Sequence, residues 1–312
     1  MTTNVLFHST PKRWAEYQAP LTRAFAAAGL DDIHLAEDIP AAEVDYMIYA
    51  PGGATDHDFS QHPRLKAVLS LWAGIETIID NPTLTVPLAR MVDHGLTQGM
   101  TEWVTGHVLR HHLGMDAHIL GQTGTWDPVA PPLAQERRVT ILGLGTLGTA
   151  AGLALAALGF PVTGWSRSQK SVAGLSCLSG DAGLLQALTV ADILVLLLPD
   201  TAATRDILNA DTLAALPEGA VVLNPGRGAL IDDAALLAAL DSGHIRHATL
   251  DAFRIEPLPP EDPYWANPKV TVTPHIASET RAITASEVIA ENIRRGEAGE
   301  PLLHLVDRSL GY

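Results

Sequence analysis

Residues Val139 to Gly148 read V-T-I-L-G-L-G-T-L-G and constrain the fold more than any other part of the chain. The apolar residues predict a buried strand, and a helical stretch follows from Thr149 to Gly159. Between them, Gly143 would allow a tight turn, Gly145 would let a pyrophosphate approach the backbone, and the next glycine would let the helix pack on the strand. The positive end of the helix favours an anion. The pattern predicts a dinucleotide site at Gly143, Gly145, Thr146, Leu147 and Gly148.

The end of the second strand indicates which dinucleotide is bound, because NAD-specific sites carry an acidic residue there. In this chain the strand Pro161 to Trp165 ends in Ser166-Arg167-Ser168, with Lys170 just beyond, and the sequence places no carboxylate there. A carboxylate would repel the 2′-phosphate of NADP, whereas a guanidinium binds it through a planar fork. We therefore predict NADP, with NADPH preferred over NADH, and contacts from Ser166, Arg167, Ser168 and Lys170.

Apolar segments alternate with helical ones, which predicts an α/β fold. After Val139, strands are expected at Pro161 to Trp165, Asp192 to Leu198, Ala220 to Leu223, His247 to Leu250 and Val270 to Thr273. They predict a doubly wound parallel sheet of the Rossmann type.

The first hundred residues predict a second, smaller flavodoxin-like α/β domain. Its strands are expected at Val5 to His8, Ile33 to Leu35, Val44 to Tyr49, Ala67 to Leu71 and Ala89 to Val92. A long helix is expected from Met100 to Leu120 and a last one from Arg281 to Arg295. We expect residues 1–98 and 283–312 to form a substrate-binding domain and residues 99–282 an NADP-binding Rossmann domain.

Polar side chains follow the later strands, and ligands of open parallel sheets bind outside the carboxyl ends of the strands. Three of these ends supply Arg227, Glu256 and His275. Arginine can bind a carboxylate and polarise a carbonyl, histidine can protonate a developing alkoxide, and a carboxylate can orient the imidazole. These groups suit the reduction of a 2-keto acid. The residues expected to line the dinucleotide at the strand ends are Leu198, Pro199, Pro225, Gly226, Asp251 and Ala277.

Composition narrows the function classes further. The formal net charge of −15 argues against nucleic acid as a partner, because phosphates require clustered Lys and Arg. The single cysteine, Cys177, fits a reducing cytoplasm, and neither a secretory signal nor a membrane span is expected. His107 and His111 have the i, i+4 spacing of metal ligands, but they and His112 and His118 would point to different faces of one helix. We therefore expect no metal site there, and instead a partly buried or dimer-facing helix.

Several motifs resemble the D-isomer-specific 2-hydroxyacid dehydrogenase family, and the resemblance covers nearly the whole chain. They are G-L-G-T-L-G, W-S-R-S, L-L-L-P-D-T, N-P-G-R-G, L-D-A-F-x-x-E-P-L-P and V-T-P-H-I-A, and with the terminal Gly311-Tyr312 they look most similar to its glyoxylate/hydroxypyruvate reductase A group. The resemblance implies that Arg227, Glu256 and His275 form the catalytic triad and that Asp251 lies near the nicotinamide carboxamide. It also implies that the loop with Trp72, Ala73 and Gly74 binds the substrate carboxylate. Where the family more often has Asp, this chain has Glu76, so no role is carried over to that residue.

The resemblance implies NADPH-dependent reduction of glyoxylate to glycolate and of hydroxypyruvate to D-glycerate, by a homodimer built through its cofactor domains. Two alternatives stay open at this point. One is a D-2-hydroxyacid dehydrogenase for a bulkier 2-keto acid, and the other is a nucleotide-sensing binding protein of the corepressor type on the same fold. Turnover with small and bulky keto acids distinguishes the three.

Overall fold

Two parallel sheets organise the chain, and each lies in a unit of its own. The computed structural model describes residues 2–50, 57–126 and 128–308, so the terminal Gly311-Tyr312 lies outside the described residues. The small unit is Met1–Leu96 with Thr280–Tyr312, and the large unit is Thr97–Glu279. Their assignment as substrate-binding and cofactor-binding domains stays a prediction.

The elements of the two units are as follows. The strands are β1 Thr3–His8, β2 Ile33–Ala36, β3 Tyr46–Tyr49, β4 Ala67–Ser70, β5 Leu88–Ala89, β6 Val139–Leu142, β7 Val162–Ser166, β8 Ser176–Ser179, β9 Ile193–Leu196, β10 Ala220–Asn224, β11 Ile245–Leu250 and β12 Val270–Val272. The helices are α1 Pro11–Ala27, α2 His94–Leu113, α3 Met115–Leu120, α4 Thr146–Ala157, α5 Gly180–Thr189, α6 Ala210–Ala214, α7 Asp233–Ser242, α8 Pro263–Ala266 and α9 Ala282–Ala298. Short 3-10 turns lie at Ala41–Glu43, Phe59–Gln61, Ala134–Glu136 and Gly228–Leu230.

The sheet of the small unit has the strand order β2-β1-β3-β4-β5, which is the flavodoxin-like order and confirms the predicted fold class. Alternate residues of its strands enter different cores, as the period of a strand requires. Tyr46 and Ile48 belong to the core that receives α1 and α9, whereas Met47 and Tyr49 belong to a second core with Phe59.

The sheet of the large unit has the order β12-β11-β10-β9-β6-β7-β8, with neighbouring strands parallel. This is the doubly wound arrangement predicted from the sequence. Residues of β9 alternate between two cores, since Ile193 and Val195 contact one and Leu194 and Leu196 the other. Both faces of the sheet are therefore buried, which explains why its strands read as continuous apolar runs.

Three local expectations were wrong. β8 was not predicted, because this half-buried edge strand reads Ser-Cys-Leu-Ser and carries no strong alternation. The expected strand at residues 89–92 is shorter and earlier, at β5. The expected helix from Met100 to Leu120 begins at His94 and breaks at Gly114, whose φ of 64° lies in the left-handed region. The early start has a local cause, because Asp93 accepts the Leu96 amide at 2.8 Å as a helix cap does.

Each helix in the described part of the chain is too short or too polar to span a membrane.

Candidate active site

The glycine loop joins β6 to α4 with little room for side chains at two of its three glycines. Gly143 has a φ of 114°, and a Cβ atom there would lie 2.3 Å from the Leu197 carbonyl oxygen. A Cβ on Gly148 would lie 1.8 Å from the Gly143 oxygen, so helix and strand can approach only without it. A Cβ on Gly145 would meet no heavy atom within 4 Å. The middle glycine thus faces open space, and its neighbours are required by packing.

The start of α4 is arranged to receive an anion. Gly145 is the N-cap, and no described side chain caps the first turn. Amide groups of the first turn have no partner within a helix, and the helix dipole adds positive potential there. Gly145 and Thr146 are exposed, whereas Leu147 is half-buried. The open glycine and the uncapped turn fit a pyrophosphate.

The end of β7 lies beside this loop. Lys170 donates a hydrogen bond to the Leu144 carbonyl oxygen at 2.6 Å, so the predicted phosphate-binding lysine contacts the glycine loop directly. Ser166 is buried and its hydroxyl donates to the Ser168 carbonyl at 2.8 Å, which shapes the turn. Arg167 and Ser168 are exposed. The structure therefore brings all four residues of the predicted 2′-phosphate site to one turn next to the glycines.

Glu256 and His275 form a hydrogen-bonded pair. His275 Nδ1 lies 2.7 Å from Glu256 Oε2, and the side chains are 46% and 35% exposed. The Phe253 amide donates to Glu256 Oε1 at 2.8 Å, which leaves the carboxylate fixed at both oxygens. With Nδ1 engaged by the carboxylate, Nε2 of His275 is the nitrogen able to exchange a proton with a substrate.

This pair perturbs the acidity of both partners. The hydrogen bond to Glu256 raises the pKa of His275 above its ordinary value, and that effect outweighs burial and the nearby Arg227. Burial would raise the pKa of Glu256, but hydrogen bonds from His275 and from the Phe253 amide outweigh it and lower the pKa. The ionised carboxylate therefore stabilises the protonated form of His275.

Arg227 follows β10 in a tight loop. Its Nη1 donates to the Gly226 carbonyl at 2.7 Å, and the Asn224 side chain donates to the Arg227 carbonyl at 2.9 Å. A Cβ on Gly228 would lie 1.9 Å from the Phe253 carbonyl carbon. The arginine loop therefore packs directly against the loop that holds Glu256.

The other predicted strand-end residues lie at the same edge of the large sheet. Pro225 and Gly226 are buried, and a Cβ on Gly226 would meet the Leu196 carbonyl oxygen at 2.8 Å. Leu198 is buried, and the Pro199 carbonyl accepts the Thr204 hydroxyl at 2.6 Å. Asp251 is fully buried and accepts the Ala277 amide at 2.9 Å. The large unit thus contains the three predicted catalytic side chains and every predicted cofactor contact.

The predicted carboxylate loop lies in the small unit, at the carboxyl end of β4. The Trp72 amide donates to the Ser70 hydroxyl at 3.0 Å, and the Met91 amide donates to the Trp72 carbonyl at 2.9 Å. Trp72, Ala73 and Gly74 are half-buried, and the indole packs against the core shared by α1 and α9. Backbone hydrogen bonds thus set the turn, and the substrate role of these residues stays a prediction.

His107, His111 and His112 of α2 are packing residues in this structure, whereas His118 lies on α3, beyond the break at Gly114, and is exposed. His111 is buried and its Nε2 lies 2.9 Å from the Thr249 hydroxyl, while burial lowers its pKa to about 3. His112 is buried against the edge of Phe160, and the His107 ring lies 4.3 Å from Trp103. Among the described residues, no group of three His, Cys, Asp or Glu side chains is arranged to hold a metal ion.

Sequence reasoning missed two polar residues of this edge, Asn224 and Thr273. Each belongs to a motif quoted above, Asn-Pro-Gly-Arg-Gly and Val-Thr-Pro-His-Ile-Ala, and each lies at the end of a strand. A short polar side chain at such a position is a usable signal, because buried turns need side-chain hydrogen bonds.

The chain belongs to the D-isomer-specific 2-hydroxyacid dehydrogenase family. The family model described as "D-isomer specific 2-hydroxyacid dehydrogenase, NAD binding domain" matches residues 105–277. This range contains the glycine loop, Arg227, Glu256 and His275.

Similar proteins agree with that assignment. A glyoxylate/hydroxypyruvate reductase A of Klebsiella pneumoniae (strain 342) is 38% identical over 294 residues, covering 89% of this chain and 94% of that protein. A D-isomer specific 2-hydroxyacid dehydrogenase from Xanthobacter autotrophicus Py2, crystallised with NADPH and MES, superposes with a TM-score of 0.92 at 41% identity over 100% of both chains. An NADPH-dependent glyoxylate/hydroxypyruvate reductase from Sinorhizobium meliloti, crystallised with NADP and sulfate, gives a TM-score of 0.88 at 37% identity over 100% of both chains.

The glycine geometry predicts two different failures within one loop. Gly145→Ala should fold normally, because its Cβ meets open space, yet bind a dinucleotide at least about tenfold more weakly, because the methyl group lies where the anion approaches. Gly148→Ala should lower the free energy of unfolding by about 1–3 kcal/mol, because helix and strand must separate. Urea unfolding and NADPH titration measure the two effects, and normal NADPH affinity in Gly145→Ala would remove the pyrophosphate from this loop.

Proposed function

We propose that this protein reduces small 2-keto acids, glyoxylate and hydroxypyruvate first, with NADPH as the hydride donor. The observation that carries the proposal is the Glu256–His275 pair, 2.7 Å apart in the same unit as the glycine loop. That pair holds a proton at the point where reduction of a carbonyl requires one. The reductases from Klebsiella and Sinorhizobium described above support the substrate class.

The side chains of the large unit take three roles in this reaction. When bound, the cofactor supplies a hydride to the carbonyl carbon. Arg227 binds the substrate carboxylate and polarises the carbonyl, His275 donates its Nε2 proton to the oxygen that becomes an alkoxide, and Glu256 keeps the imidazole protonated and oriented.

The residues fit NADP as the cofactor on two observations. Gly145 faces open space at the uncapped start of α4, which suits the pyrophosphate. Ser166 to Lys170 form a cationic, carboxylate-free turn beside the glycine loop, which suits the 2′-phosphate. The relatives crystallised with NADPH and NADP support the same assignment.

A homodimer is the proposed assembly, with the large unit as the interface. The segment from α3 to the start of β6 exposes an unusual set of apolar side chains: Ile119 at 66%, Leu120 at 81%, Trp126 at 92%, Val129 at 72% and Leu133 at 65%. We take these side chains as the contacts of the dimer, and a second copy of this chain is the partner that the resemblance implies. The single cysteine supports a cytoplasmic location, which fractionation of cells would test.

Turnover with a substrate panel tests the function. Loss of NADPH absorbance should be fast with glyoxylate and hydroxypyruvate and slower with branched or aromatic 2-keto acids. His275→Ala should lower kcat on the order of 10²-fold and leave NADPH affinity intact, because only the proton donor is lost. A preference for the bulky acids would favour the bulkier-substrate alternative, and NADPH binding without turnover would favour a sensor.

The pH profile tests the role of Glu256 in the same assay. Reduction requires protonated His275, so kcat should fall as the pH rises through a pKa that lies above the ordinary value of about 6.5. Glu256→Gln keeps the shape of the side chain but removes its charge, so the falling limb should move to lower pH. An unmoved limb in this variant would separate Glu256 from the proton transfer.

The 2′-phosphate assignment predicts a selective loss in Arg167→Ala. A hydrogen bond to a charged group contributes about 1.5–3 kcal/mol, so kcat/KM with NADPH should fall about tenfold or more. With NADH, which lacks the phosphate, the change should be small. Equal losses with both cofactors would place the phosphate elsewhere.

Light scattering tests the homodimer. The double variant Leu120→Ser with Trp126→Ser should shift the wild-type dimer towards monomer, because it removes two of the most exposed apolar side chains of the segment. Leu158→Ser, which alters a leucine that is 48% exposed at the end of α4, is the matched control and should stay dimeric. A monomeric wild-type protein would contradict the proposed assembly.

A further inference from the structure

A buried hydrogen-bond network joins the ends of β10, β11 and β12. We call Asn224, Asp251 and Thr273 the strand-end network. The Asp251 carboxyl group is fully buried, and its Oδ1 accepts the Thr273 hydroxyl at 2.5 Å and the Ile276 amide at 2.9 Å, while its Oδ2 accepts the Ala277 amide at 2.9 Å. The Asp251 side chain thus holds the two amides that follow His275 and the hydroxyl of Thr273, two positions before it.

The catalytic histidine candidate depends on this restraint. His275 has a φ of 52°, a conformation that non-glycine residues rarely adopt and that persists only where the surroundings impose it. Its amide donates to the main-chain oxygens of Asp251 at 2.9 Å and of Thr273 at 3.0 Å. The Thr273 hydroxyl orients the Asp251 carboxyl group, and that group orients the amides that follow His275. Thr273 therefore influences the direction of the imidazole indirectly, through Asp251.

Asn224 makes the matching contacts for the arginine loop. Its Nδ2 donates to the Arg227 carbonyl at 2.9 Å, its Oδ1 accepts the Gly226 amide at 3.1 Å, and its main-chain oxygen accepts the Asp251 amide at 3.0 Å. Asn224 is 1% exposed, so bulk water would not replace these hydrogen bonds if the side chain were removed. The loop that carries Arg227 and the loop that carries His275 are thereby both connected to Asp251.

We propose that Thr273 and Asn224 are positioning residues of the reduction, Thr273 for the proton donor His275 and Asn224 for the carboxylate anchor Arg227. The inference rests on the proposed function, and it adds two residues that act through Asp251 and through backbone groups. The two roles differ in what they should disturb. Misplacement of a proton donor lowers kcat, and misplacement of a carboxylate anchor raises KM.

Substitutions at Thr273 test the first role. Thr273→Val removes the hydroxyl and keeps the shape, whereas Thr273→Ser keeps the hydroxyl. The control is Thr140→Val, which removes a buried hydroxyl of the same sheet, one that donates to the Ala187 carbonyl at 3.1 Å. We expect Thr273→Val to lower kcat for glyoxylate about tenfold and to move the falling pH limb to lower pH, because the His275–Glu256 contact loosens. Thr273→Ser and Thr140→Val should stay near the wild type.

Asn224→Ala tests the second role. It should raise KM for glyoxylate about tenfold without moving the pH limb to lower pH, because Arg227 moves and the His275–Glu256 pair does not. Arg227 lowers the pKa of His275, so any shift of the limb should be to higher pH. A rise in KM without a shift to lower pH supports the split, and a limb at lower pH with unchanged KM overturns it. If Asn224→Ala does not fold, the comparison of Thr273→Val with Thr273→Ser still tests the strand-end network.

An imidazole titration by NMR separates this inference from the proposed function. The groups that face His275 are Glu256, Arg227 and Asp251, and their effect on its pKa is measurable without turnover. A wild type without turnover on any 2-keto acid would overturn the proposed function alone. A lower His275 pKa in Thr273→Val, but not in Thr140→Val, supports the network. Equal His275 titration in both variants, or equal loss of kcat in both, overturns it.

Discussion

The buried carboxyl group of Asp251 is the constraint on which the edge of the large sheet depends. A polar group with no exposure must find its hydrogen-bond partners within the protein, and Asp251 finds Thr273, Ile276 and Ala277. Because those partners lie on the loop of His275, satisfying the carboxyl group also determines where the imidazole points. The left-handed conformation of His275 costs local free energy. An unpaired Asp251 carboxyl group in the core would cost more, so the hydrogen bonds of Asp251 offset that strain.

Sheet topology explains how the three predicted catalytic residues come together. Parallel strands present all their carboxyl ends at one edge, so side chains far apart in sequence meet without long connections. Arg227, Glu256 and His275 follow β10, β11 and β12, which are adjacent in the sheet. Close packing then sets the distances, since Gly228 admits the Phe253 backbone where any Cβ would collide. The placement of the three predicted catalytic residues therefore depends on strand order and on close packing at Gly228, as well as on Asp251.

The sequence was informative wherever a residue's role is local or obligatory. Gly143 and Gly148 were predictable because a turn and a helix contact exclude side chains, and the apolar runs of the large sheet because both of its faces are buried. The edge strand β8 was not, since an exposed edge imposes no apolar pattern. The pairing of Thr273 with Asp251 was not either, because 22 residues separate them and only the fold brings them together. Long-range pairing is the information that a motif does not carry.

Because the protein has a strongly negative net charge, an anion-binding site requires that cations be placed at the site itself. A net charge of −15 produces a repulsive field for a dinucleotide and for a keto acid alike. Many cations cannot offset it, because they pair with carboxylates, as Arg138 does with Asp192 and Arg205 with Asp200. At the site Lys170 differs, since its ammonium group donates to the main-chain carbonyl oxygen of Leu144 in the glycine loop. A carbonyl dipole holds the side chain in place without neutralising its charge, so the positive potential stays available to an anion. The amides at the start of α4 add to it without any net charge. Binding of anions by this acidic protein thus depends on cations that the main chain orients and on the backbone itself.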